Sequence, residues 1–155
     1  ELARTELAVA STSLVLDLIP PRRFLRVLIK HGAKSGASDN YLRFNNVSTG
    51  TPYTFIEDIN AVARTSQNQI DLTDGDNSAA GQFYIIDIVN VPNQEKCIDS
   101  VAVRRITAAG TAQTRRRVSG TWVQITSAIT RIDLVSSNTA TYPAGSQIVI
   151  YGSSF

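Results

Sequence analysis

His31 is the single histidine of the chain and Cys97 its single cysteine. A nucleophilic site of the Ser-His-Asp kind needs an imidazole held by a carboxylate and facing a hydroxyl. No spacing in the chain puts a serine and an aspartate beside His31, and no G-x-S-x-G elbow occurs. His31 follows Lys30 at the end of an expected strand, so it reads as a solvated edge residue. Cys97 falls inside an expected strand and reads as a small buried apolar residue. One thiol cannot close an intramolecular disulfide, and it has no companion ligands at zinc spacing. The chain is expected not to be an enzyme, and no cofactor is implied.

Two charged clusters remain. Asp71, Asp74 and Asp76 stand in DLTDGDN, where three carboxylates around a glycine offer oxygen ligands to Ca²⁺. The spacing departs from the EF-hand loop and the late bidentate Glu is missing. A solvated turn is the ordinary reading, because Asp, Asn and Gly are also turn residues. The second cluster is Arg104 and Arg105 with Arg115, Arg116 and Arg117. Strand alternation puts Arg115 and Arg117 on one face and Arg116 on the other. If the two segments pair as a hairpin, four or five guanidiniums crowd together, and like charges at that distance repel. An acidic surface on a neighbouring subunit would relieve them, since Arg binds carboxylates through a planar fork. A solvated face is the other reading of the same arginines. The arginines and the N-terminal segment with Glu1 and Arg4 are the expected contact residues.

Other chemistry is thinly represented. The net charge is +2, from 15 Lys and Arg against 13 Asp and Glu. That balance does not suit a general nucleic-acid binder, and no stacking aromatics interleave with the arginines. No apolar run approaches the roughly 20 residues of a membrane helix. The opening ELARTELAVASTS has no basic n-region ahead of an apolar run, so no secretory signal is expected, and the sequon Asn46-Val47-Ser48 is read as chance. Tyr53 and Tyr142, on expected loops, would be the side chains of a glycan-binding surface.

The elements that must position these residues are strands. The chain holds 15 Ile, 13 Val and 15 Thr among 155 residues and no Met. Such β-branched side chains are stiff at χ1 and pack well on a pleated surface. TSLVLDLI (12–19) alternates with Leu14, Leu16 and Leu18 on one face, until Pro20-Pro21 ends it. RFLRVLIKH (23–31) restarts with Leu25, Val27 and Ile29 inward. Further strands are expected at 40–45, 82–91, 97–108, 113–119, 121–126, 128–136 and 147–152. Gly120 separates two of these, and 108–112 turns a hairpin. Segment 53–63 reads as a strand or a helical turn, and 71–81 as a loop. Nine or ten short strands without a linker predict one all-β domain over 1–155, an antiparallel jelly-roll β-sandwich.

Three stretches carry a resemblance. YLRFNNVSTGTPYTF (41–55) resembles an R-F-N-N-D-S-G-x-N-Y stretch, with Val47 in place of the aspartate and Pro52 in place of the asparagine before the tyrosine. In 120–152, Trp122, Ile129, Ile132 and Leu134 precede Tyr142, Ala144, Gly145, Ser146, Ile148, Ile150, Tyr151 and Gly152, similar to a Trp-bearing strand, an I-x-x-I-x-L strand and F-x-A-G-S-x-I-x-L-Y-G. The opening segment resembles L-x-x-T-x-L leading to I-P-x-R-x-x-L-x-I. Together they resemble small jelly-roll structural proteins of tailed-bacteriophage virions. The resemblance implies a decoration or head-fibre protein, or a tail or baseplate element. It implies a homo-oligomer, commonly a trimer, which suits the arginine cluster if acidic residues such as Glu57, Asp58 and Asp99 lie across the interface, bound to other virion proteins such as the major capsid protein. Localisation would be the virion, assembled in the host cytoplasm, with no nucleic-acid or membrane partner. The AGS loop has a reading of its own: Gly145 permits positive φ, and Ser146 bonds local backbone.

Overall fold

The structure is a computed structural model that describes residues 1–57, 63–73, 80–104 and 114–154. It is all-β, as expected. Among the described residues there are twelve strands rather than nine or ten. They are β1 (Ala3–Glu6), β2 (Ser13–Leu16), β3 (Phe24–His31), β4 (Asn40–Phe44), β5 (Tyr53–Glu57) and β6 (Ala63–Gln67). After these come β7 (Ile70–Asp71), β8 (Gln82–Val89), β9 (Lys96–Arg104), β10 (Thr114–Trp122), β11 (Ile132–Ser136) and β12 (Gln147–Ser153).

The strands form two antiparallel sheets in a sandwich-like arrangement. One has eight strands in the order β1-β12-β3-β8-β9-β10-β5-β6, and the other four in the order β2-β11-β4-β7. The chain changes sheet at each step from β1 to β5, from β6 to β8 and from β10 to β12, a path consistent with a jelly roll. One hydrophobic cluster joins the layers. The small sheet contributes Leu14, Leu42, Phe44, Ile132 and Leu134; the large one contributes Val27, Ile29, Tyr84, Ile86 and Ile150. Fully burying a side chain of this size stabilises by roughly 1.5–3 kcal/mol before entropy is counted.

Several boundaries differ from the sequence expectation. Leu18 is 88% exposed at φ 54, and Ile19 takes the buried place instead. The period-2 pattern breaks because β2 has already ended at Leu16. Residues 114–119 and 121–122 belong to one strand, β10, which runs through Gly120, and the expected strand does not continue over 123–126. A Cβ at Gly120 would lie 2.8 Å from the Thr54 carbonyl oxygen and 3.1 Å from Phe55 Cβ. The glycine therefore marks close approach of β5, not a break in the ladder. Strand β6 was not expected; its exposed ARTSQ has no apolar alternation to reveal it. The expected turn at 108–112 lies outside the described residues.

Candidate functional site

The 41–55 motif builds a turn. Asn45 and Asn46 have φ of 51° and 58°, and the Val47 N–H bonds the Phe44 carbonyl at 2.9 Å. Both central residues are left-handed, as in a type I′ turn, where Asn is tolerated because its short side chain bonds locally. The Asn45 side chain then pins the chain ahead of β11. Its Oδ1 accepts from the Thr130 and Arg131 amides at 2.9 and 3.0 Å, and its Nδ2 donates to the Ala128 carbonyl at 2.8 Å. The Phe44 N–H donates to the Tyr53 hydroxyl, which donates in turn to the Val47 carbonyl. Val47, where the motif has aspartate, packs against the core. The AGS turn is built as expected: Gly145 sits at φ 79° and Ser146 Oγ donates to the Pro143 carbonyl at 2.7 Å. It also fastens the N-terminal arm, since the Gly145 N–H donates to the Leu7 carbonyl and the Leu7 N–H donates to the Ser146 carbonyl.

His31 is not a solvated edge residue. It is 3% exposed, enclosed by Tyr84 and Tyr142 with ring centroids at 6.1 and 5.1 Å. It ends β3 facing inward, where the register sets it opposite Gln82. Its Nδ1 bonds the Gly32 carbonyl at 2.8 Å, which makes that nitrogen the donor, and its Nε2 accepts from Asn40 Nδ2 at 3.4 Å. Burial pushes the imidazole from 6.5 down to about 4; Lys34 adds to the depression. Asn40 is the hub of this cluster. Its Oδ1 accepts from Lys34 Nζ at 3.0 Å and the Tyr142 hydroxyl at 2.9 Å, while its Nδ2 reaches Gln82 Oε1 at 2.7 Å. Lys34 Nζ also donates to the Ser38 carbonyl. The cluster ties both sheets and the 138–146 loop together with every named polar group engaged. Asn40 escaped sequence reasoning because its partners come from four separate segments.

The expected glycan side chains are unavailable. Tyr53 and Tyr142 are both fully buried. Burial raises both phenols, Tyr53 to about 12. Cys97 reverses its expectation: it is exposed on β9, in a shallow groove of about 510 Å³ with Thr54, Ile56, Arg64, Ser119 and Thr121. Of the three aspartates, Asp74 and Asp76 lie outside the described residues. Asp71 Oδ1 accepts from the Thr73 amide and hydroxyl. Among the described residues no group of three His, Cys, Asp or Glu could hold a metal ion.

β9 and β10 pair as expected, and the described arginines divide between the two faces. The register sets Arg115 opposite Val103, Arg116 opposite Ala102 and Arg117 opposite Val101, with Arg104 opposite Thr114. Arg115 and Arg117 face outward, Arg104 and Arg116 share the other face, and Arg105 lies outside the described residues. Arg117 reaches Asp99 of its own chain through two bonds of 2.9 Å, and that pairing holds the Asp99 carboxyl below the usual range. Glu57 is buried at 4% exposure, with Arg64 3.9 Å away, so it is not open to a neighbour. Asp58 lies outside the described residues. Glu1 is exposed, and Arg4 lies on edge strand β1 beside Glu6.

Read across the register, the outer face of the large sheet has two apolar rows. Leu28, Ile85 and Val101 continue from Val149 in one row, which ends at Arg4 and Arg117. Phe83 and Val103 form the next, between Lys30 and Arg115. Phe83, Ile85 and Val103 are 38–39% exposed. A third row holds Arg26, Asp87 and Asp99, with Arg26 forked on Asp87 at 2.7 and 2.8 Å. A solvated antiparallel face ordinarily alternates polar outward. Here FYII (83–86) and VAV (101–103) are apolar on both faces, and that lost alternation was the sequence signal for this surface.

No family model, curated protein or solved structure matches the chain. Among the described residues no helix is long and apolar enough to cross a membrane.

Proposed function

We propose that the chain is a non-enzymatic structural component of a tailed-phage particle, a capsid decoration protein that bridges shell subunits. The observation that carries this reading is the apolar outer face of the eight-stranded sheet, Leu28, Phe83, Ile85, Val101, Val103 and Val149. Contiguous exposed apolar surface with a charged rim marks protein contact. Two further points support it. His31, Tyr84 and Tyr142 are buried, and each is hydrogen-bonded to the Asn40 side chain. The residues that carry the phage resemblance, Asn45, Tyr53, Gly145 and Ser146, serve turns and clamps rather than a ligand.

The mechanism is binding without chemistry. A protein that binds only the assembled shell stabilises it by mass action, and many copies add avidity. The major capsid protein is the partner this reading names, and the copies act as a homo-oligomer. The glycan-recognising tail alternative has lost Tyr53 and Tyr142 as its contact residues. Gold-labelled antibody on intact particles tests the proposal. Label over the head, with lower heat resistance of heads lacking the protein, is the expected result. Label confined to the tail tip, or absent from particles, overturns it.

A further inference from the structure

The outer faces of the two sheets differ in charge. Around its apolar rows the large sheet carries, among the described residues, five cations, Arg4, Arg26, Lys30, Arg115 and Arg117, against the carboxylates of Glu6, Asp87 and Asp99. Lys30 and Arg115 have no ion-pair partner among the described residues. The small sheet shows the opposite balance. Val15, Val135 and Tyr41 lie on its outer face, half-buried; Tyr41 stands opposite Val135, and Val15 lies diagonal to it, opposite Asp133. Around them, among the described residues, stand the carboxylates of Asp17, Asp39 and Asp71 against the guanidinium of Arg43, while Asp133 is buried at 3% exposure and forked by Arg131. One face is apolar with a cationic surplus; the other is apolar with an anionic surplus.

We propose that the chain associates front to back with a second copy of itself, the outer face of the large sheet of one copy docking on the outer face of the small sheet of the next. Complementary charge selects this pairing and disfavours the alternatives. Two large-sheet faces would set a cationic surplus against itself, and two small-sheet faces an anionic one, and like-charge juxtaposition at an interface suppresses a pairing. A heterologous contact of this kind closes into a ring when the rotation between copies divides a full turn, and otherwise extends as a filament. The inference deepens the structural-component reading by naming how copies join, and it is tested on the purified chain without particles. A monomer in that test leaves the labelling result standing, and the reverse also holds.

The test uses light scattering after gel filtration. The wild-type chain is expected at a mass of two or more 16.8 kDa units. Its association should weaken several-fold as salt rises from about 0.05 M to about 0.5 M. A front variant, Lys30→Glu with Ile85→Glu, and a back variant, Asp17→Arg with Val135→Arg, should each be monomeric. Mixed in equal amounts they should recover at least a dimer, because one intact front meets one intact back. Circular dichroism checks that both variants fold. The milder Lys30→Gln and Asp17→Asn should each lower the salt dependence without disturbing the fold. A monomeric wild type at several hundred micromolar overturns the proposal. So does a back variant that assembles like wild type, or a mixture of folded variants that stays monomeric.

Discussion

Protonating His31 should loosen the sandwich. The imidazole is neutral and buried, with its ordinary value of 6.5 moved down to about 4 by burial. The unfolded chain therefore binds a proton at a higher pH than the folded one does. Stability contributed by this group is complete above pH 6.5 and is lost as pH falls toward 4. With those two values the loss is about 2 kcal/mol at pH 5 and about 3 kcal/mol at pH 4. The ionisable groups facing His31 are Lys34, Tyr84 and Tyr142, and burial moves the Tyr142 phenol upward, away from that window. Carboxylates elsewhere, Asp99 among them, also lose stability in acid. The measurement must therefore be a difference. Urea unfolding of the wild type and of His31→Gln at pH 7 and pH 5 isolates the term. The wild type should lose about 2 kcal/mol more than the variant, equivalent to a melting temperature lower by about 4–8 °C at this chain size. Equal losses in the two proteins would refute the reasoning. So would an imidazole that titrates near 6.5 by NMR.

Asn40→Ala should cost about 3 kcal/mol in urea unfolding, because Lys34 Nζ and the Tyr142 hydroxyl lose a buried acceptor. Asn45→Ala should cost about 2–3 kcal/mol, from three lost bonds to 128–131 and a left-handed alanine. Asn45→Gly should recover about 1 kcal/mol of that by removing the backbone strain. Gly120→Ala should lower stability by about 1–3 kcal/mol, since its Cβ meets the Thr54 carbonyl oxygen at 2.8 Å. Gly145→Ala meets nothing within 4 Å, and should lose only about 1–2 kcal/mol of left-handed strain, which thermal melting would separate from the Gly120 effect.

The fold class was legible because it is written locally. Leu25, Val27 and Ile29 alternate within one strand, and all three are buried as the period requires. Gly145 and Ser146 announce a turn by their own conformational chemistry, and the turn is there. Single-residue judgements at strand ends fared worse. His31 and Cys97 lie on sheet faces whose covering depends on other segments, so type and neighbours misassigned both. The arginine cluster shows the same limit. Alternation correctly split Arg115 and Arg117 from Arg116, yet only the register of β9 against β10 put valines and alanine opposite them and Asp99 beside Arg117. Composition and period settled that these residues make strands, since those signals act within a few residues along the chain. The tertiary structure alone decided that Asn40 gathers His31, Lys34, Gln82 and Tyr142, and that the outer faces of the two sheets carry opposite surpluses of charge. Both depend on pairings between strands tens of residues apart, for which no local periodicity exists.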